Sequence, residues 1–125
     1  MLQVLYIDDD EINRDIVKRI LARAPYEVNL SEAVDGHDGV EMAQELKPDL
    51  ILMDFHMPGL PGPEATRQIR ADETIASIPI IALTADIYAR SSFEEAGCNG
   101  YLTKPIRKRA LLHAIEEIFP DLPQI

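Results

Sequence analysis

Short apolar runs alternate along the chain with stretches whose apolar residues recur every three or four positions. Leu2 to Ile7 is the first run, stopped by Asp8-Asp9-Asp10, and its length and acidic end predict a buried strand. Ile12, Ile16, Val17, Ile20, Leu21 and Ala24 then fall at helical spacing, with an Asp ahead of them as N-cap. Glu27 to Ser31 predicts a second, weaker strand. A helix from about Gly36 to Leu46 is opened by Asp35 and stopped at Lys47-Pro48, since the residue before a proline is pushed out of the helical region. Leu50 to Met53 is the third strand, ended by Asp54, and Met57 to Gly62 is a loop on its turn chemistry. Pro63 suits the first turn of a helix reaching about Ala71. Ile78 to Leu83 predicts a fourth strand, Ile87 to Ala96 a helix closed by Gly97, and Tyr101 to Thr103 a short fifth strand. The last helix carries Ala110, Leu111, Ala114, Ile115, Ile118 and Phe119 on one face. Pro120 to Ile125, with two prolines, reads as a loose tail or the start of a linker.

The strands lack the in-out alternation of a half-solvated sheet. This predicts an α/β fold with a parallel sheet covered on both faces. Right-handed crossovers make the sheet open and doubly wound, with ligand chemistry at the carboxyl ends of its strands.

Length and composition narrow the classes. A chain of 125 residues is about one domain, and 46% apolar with 27% charged residues is ordinary for a folded chain. Twelve Lys and Arg against 22 Asp and Glu give a net charge of −10, a field that repels phosphate backbones and disfavours direct nucleic-acid binding. The single Cys98 excludes an internal disulfide and a CxxC metal clip, and is expected half-buried with no redox role. No apolar stretch approaches the ~18 residues of a membrane span and no leader opens the chain, so a cytoplasmic domain without membrane contact is expected.

The residues that end strands carry the chemistry. They are Asp8 and Asp9, then Asp54, Thr84 and Lys104. On one rim, three carboxylates raise one another's pKa and cost stability unless a cation neutralises them. Their hard oxygens suit Mg²⁺, Lys104 offers a charge for a phosphate oxygen and Thr84 a hydroxyl. A carboxylate is itself a competent nucleophile for a phosphoryl group. Each residue also has a duller role: Asp8, Asp9 and Asp10 as helix caps, Asp54 as a loop acid, Lys104 as a solvated charge. That role fits Asp10, but it does not explain the other four together.

Four segments, YIDDDEIN, LILMDFHMPGLPG, IIALTA and YLTKP, stand in one order. In that order the chain resembles the receiver domain of bacterial two-component response regulators, from about Leu2 to Phe119. The resemblance implies a flavodoxin-like (βα)5 fold with strand order 2-1-3-4-5, a receiver over residues 1–119 and a tail over 120–125. It implies that Asp54 accepts a phosphoryl group from the phosphohistidine of a sensor histidine kinase or histidine phosphotransfer domain. Asp8, Asp9, Asp54 and the backbone carbonyl of His56 would hold Mg²⁺. Thr84 would bond a phosphoryl oxygen past the small Ala85, and Lys104 would pair with the phosphoryl group, its bond to Pro105 often being cis in this family. Tyr101 stands at the switch position, and phosphorylation would shift the surface of the fourth helix, fifth strand and fifth helix, where two copies would also pair. His56 and Asp86 lie where the lifetime of the phosphoryl group is tuned. Pro61 departs from the acidic residue common at its position, and Asn13-Arg14 with the HMPGLPG loop lean toward receivers of hybrid histidine kinases. Such a domain modifies itself and has no turnover substrate. Two other readings compete. A haloacid-dehalogenase-type phosphatase would need Gly-Thr or similar after Asp8-Asp9-Asp10 and a late acidic pair, and the chain has neither. A degenerate receiver would lack chemistry residues that are all present.

Overall fold

The five apolar runs become five parallel strands of one sheet in the computed structural model, which describes residues 1–86 and 90–125, the side chains of Arg90 and Phe93 excepted. The strands are β1 (Leu2–Ile7), β2 (Val28–Ala33), β3 (Leu50–Asp54), β4 (Ile80–Thr84) and β5 (Gly100–Thr103), in spatial order β2-β1-β3-β4-β5. Five helices connect and follow them: α1 (Glu11–Ala22), α2 (Gly36–Leu46), α3 (Gly62–Ala71), α4 (Arg90–Ala96) and α5 (Lys108–Ile118).

Period two along the strands divides the core in two. Leu5, Ile7, Ile51, Met53, Ile80 and Ala82 face α2, α3 and α4, meeting Val40, Ala43, Ala65, Ile69 and Ala96. Val4, Tyr6, Leu50, Leu52, Ile81 and Leu83 face α1 and α5, meeting Val17, Leu21, Leu111 and Ile115. Both faces are buried, which is why the sequence shows runs rather than alternation.

Local signals set the ends of the helices. Asp10 caps α1 by accepting from the Ile12 amide at 2.9 Å, and Asp35 caps α2 through the Asp38 amide at 2.8 Å. Lys47 takes a left-handed conformation (φ 46°) to end α2 before Pro48. Gly62 opens α3 where the chain passes close to β3. A Cβ there would lie under 3.0 Å from the Asp54 carbonyl oxygen and the Phe55 Cα, so only glycine lets α3 start against the end of β3.

Several boundaries differ from the sequence-based expectation. β2 is an edge strand running to Ala33 rather than Ser31, and its partly solvated face hides the apolar signal. β4 starts at Ile80 rather than Ile78: the Ile78 amide bonds back to Ile75 and its carbonyl accepts from Arg70, so residue 78 belongs to a turn. Residues 87–89 of the expected fourth helix lie outside the described residues, and its described part, Arg90–Ala96, ends as expected at Gly97 (φ 103°). Ile12 is 72% exposed and Ala110 is exposed, so neither joins the buried faces their spacing assigned them. The tail lies against the body: Leu122 packs on the α1–α5 core and the Ile125 amide donates to the Pro25 carbonyl at 2.8 Å. Among the described residues, no helix is long and apolar enough to cross a membrane.

Candidate functional site

Strand register assembles the site. Ile7 pairs with Met53, so Asp8 and Asp54, one residue further on, come side by side at the carboxyl rim. Thr84 pairs with Thr103, which brings Lys104 to the same end of the sheet. Carboxylate oxygens of Asp8, Asp9 and Asp54 lie within 4.8 Å of one another. Asp8 and Asp54 are 0% and 1% exposed, whereas Asp9 is exposed, giving the cluster a dry floor and an open mouth.

Lys104 enters through a cis bond to Pro105, and its amide donates to the Thr84 carbonyl at 2.6 Å. Its Nζ lies 3.0 Å from Asp54 Oδ1 and 3.5 Å from Asp8 Oδ2. Burial would pull the ammonium's pKa down, but the bond to Asp54 and the charges of both carboxylates raise it above the usual lysine value. Asp54 is pushed up to about 6, first by burial and then by the charge of Asp8, against the pull of Lys104 and the His56 amide. That amide donates to Asp54 Oδ1 at 3.2 Å. Three carboxylates against one ammonium leave negative charge uncompensated. Hard oxygen donors with that surplus fit a divalent cation such as Mg²⁺, bound through Asp8, Asp9 and Asp54.

The remaining expected residues lie around this cluster. Thr84 is fully buried, and its Oγ1 accepts from the Asp86 amide at 3.0 Å and lies 3.0 Å from His56 Nε2. Tyr101 is 37% exposed and lines a groove of about 290 Å³ between β5 and α5 with Leu102, Ala110 and His113. The structure therefore joins Asp8, Asp9, Asp54 and Lys104, ties Thr84 to the loop after Asp54 through His56, and leaves Tyr101 on the outer surface. Cys98 is half-buried as expected, and burial pushes its thiol up to about 11, which favours the protonated form at neutral pH. His37 and His113 are on the surface.

Two side chains that support Asp8, those of Tyr6 and Arg14, lie outside the strand-end pattern. The fully buried Tyr6 donates its hydroxyl to Asp8 Oδ2 at 2.6 Å, while Asp8 Oδ1 accepts from the Asp10 amide at 2.9 Å. Arg14 donates to the Asp8 carbonyl at 2.8 Å. A signal for Tyr6 was present: a tyrosine inside a buried run needs a hydroxyl partner, and residue i+2 of a strand shares its face. Tyr6→Phe keeps the ring packing but removes a donor from a buried carboxylate. Urea unfolding is expected to show a loss of roughly 1–2 kcal/mol, and an unchanged midpoint would mean that Asp8 does not depend on that bond.

Comparison with known proteins agrees with this geometry. Residues 4–116 match the family model of the response regulator receiver domain. The chemotaxis protein CheY of Pseudomonas aeruginosa is 33% identical over 120 residues, covering 94% of this chain and 96% of that protein. The DNA-binding dual master transcriptional regulator RpaA of Synechocystis is 38% identical over 127 residues, but there the match spans 52% of the relative's length. Among solved structures, the receiver domain of the sensor histidine kinase PA1611 of Pseudomonas aeruginosa, with a magnesium ion coordinated in its active site cleft, superposes with a TM-score of 0.85 at 33% identity, over 93% of this chain and 95% of that one.

Proposed function

This chain belongs to the response regulator receiver family, a class of phosphoacceptor signalling domain, and from that premise we propose that Asp54 is its phosphoacceptor. The carrying observation is the Asp54 carboxylate itself, buried, 3.0 Å from the Lys104 ammonium and within 4.8 Å of two further carboxylates. With a pKa near 6 it is mostly ionised at neutral pH and still basic enough to attack. An Asp54 oxygen forms a bond to phosphorus as the phosphorus–nitrogen bond of a phosphohistidine breaks, and the departing imidazole takes up a proton from solvent. The product is an acyl phosphate on Asp54. Lys104 offsets the charge on the phosphoryl oxygens, and the Thr84 hydroxyl donates to one of them. Asp8, Asp9, Asp54 and the His56 carbonyl are the residues that would hold Mg²⁺, which supplies further charge neutralisation at those oxygens.

Receiver domains exchange phosphoryl groups with histidine kinases or phosphotransfer partners, and a partner of that kind in the cytoplasm is the donor we assign here. Hydrolysis restores the carboxylate, so the chain returns to its starting state without a separate substrate. The receiver occupies residues 1–119. Tyr101, on the groove between β5 and α5, makes the surface of α4, β5 and α5 the output face, where a second copy would also dock.

Incubation with Mg²⁺ and acetyl phosphate, followed by intact-mass measurement and peptide mapping, tests the reading. One base-labile phosphoryl group on the peptide holding Asp54 is expected. A group on Asp8 would favour phosphatase-like chemistry, and no adduct would favour a binding module.

A further inference from the structure

We propose that the His56 imidazole is a latch on Thr84, pinning its hydroxyl in the resting domain so that phosphoryl capture must first break that contact. The inference rests on the reading of Asp54 as acceptor and adds a positioning residue to it.

One residue reaches both parts of the site. The His56 amide donates to Asp54 Oδ1 at 3.2 Å, while its ring Nε2 lies 3.0 Å from Thr84 Oγ1. Thr84 is fully buried, and its oxygen already accepts from the Asp86 amide at 3.0 Å. A hydroxyl has one proton to give. If Nε2 accepts it, that proton is withheld from any phosphoryl oxygen. If Nε2 is protonated, it donates instead, and the oxygen is fixed between two N–H groups. Either tautomer holds the hydroxyl where it is. His56 itself is exposed, so its ring is free to swing into solvent once Thr84 leaves. The ring thus opposes the displacement of Thr84 by about the net worth of one hydrogen bond, which corresponds to roughly a two- to tenfold factor in an equilibrium constant.

Beryllofluoride, a phosphoryl mimic, is titrated into the whole chain at saturating Mg²⁺ and followed by NMR. His56→Ala is expected to bind it roughly two- to tenfold more tightly than the unmodified chain. In the free His56→Ala protein, the Thr84 methyl resonance is expected to move toward its beryllofluoride-bound position, which a purely structural role for His56 would not produce. In a Thr84→Ala background, the gain from His56→Ala should vanish. His56→Gln serves as a second variant that keeps a polar side chain there, and it should fall between the two. Unchanged or weaker binding by His56→Ala, or an equal gain without the Thr84 hydroxyl, would overturn the latch while leaving Asp54 as acceptor. Absence of beryllofluoride binding by the unmodified chain would overturn the acceptor reading, and the latch with it.

Discussion

Asp54→Asn is expected to abolish the proposed phosphoryl adduct and at the same time to yield a fold that is more stable at neutral pH. Both outcomes come from one buried carboxylate. An amide nitrogen or oxygen does not replace the carboxylate as nucleophile, so incubation with acetyl phosphate should give no added mass on the Asp54 peptide. The stability gain follows from linkage. Asp54 has a pKa near 6 in the folded chain, against an ordinary 3.8, because burial and the Asp8 charge disfavour its ionised form. The folded state therefore binds this proton more tightly than the unfolded state does. The contribution is fully favourable below about pH 4, declines as pH rises through about 6, and is flat above that. At neutral pH the fold carries a cost of order 2 kcal/mol at this position. Asparagine removes that charge, and Lys104 keeps Asp8 as its partner at 3.5 Å. Urea unfolding at pH 7 should show Asp54→Asn more stable by roughly 1–3 kcal/mol, with the gain shrinking toward zero near pH 4. An equal gain at both pH values would rule out the electrostatic cause. A surviving adduct elsewhere on the chain would remove Asp54 from the chemistry.

The second large effect lies away from the acidic cluster, at Arg70. Its guanidinium is partly buried between the end of α3, the turn before β4 and the loop after α4. Nη1 donates to the carbonyls of Ala76 (2.8 Å) and Ile78 (2.7 Å), Nε to that of Gly97 (2.9 Å), and Nη2 to Asn99 Oδ1 (2.9 Å). The same Asn99 oxygen accepts from the Ile80 amide at 2.9 Å, which links the network to the start of β4. Burial pulls the guanidinium's pKa below the usual arginine value. A planar fork is the one side chain that reaches four acceptors in different directions. Arg70→Ala strands those acceptors in a half-buried site and should cost roughly 3 kcal/mol in urea unfolding. Arg70→Lys should recover only a fraction, since an ammonium has three donors on a single nitrogen. Full recovery by lysine would show that charge, not the fork, does the holding.

Much of the site was legible because strand ends in a parallel sheet fall on one rim. Asp8, Asp9, Asp54 and Lys104 could be grouped from the ends of three apolar runs, and the register puts them together. The caps Asp10 and Asp35 and the stop at Lys47-Pro48 were legible for a similar reason, being set by near neighbours. What escaped depends on partners far away in sequence. Arg70 bonds to residues up to 29 positions away, and His56 to one 28 away, so neither contact leaves a local trace. Ile12 and Ala110 are exposed despite their spacing, which gives the face of a helix but not where the sheet beneath it ends. The end of the edge strand β2 is hard to see in the sequence because an edge does not need an apolar run on both faces. The prolines of the tail rule out a helix but say nothing about the docking of Leu122.

Asp54 closes the middle strand of five, and every residue of β3 is buried. Like β4, that strand is wedged between neighbours on both sides and roofed above and below. The phosphoryl group proposed for Asp54 would add its charge at the end of this packed strand. Room to yield is greater at the outermost strand, β5, where two of four residues face water.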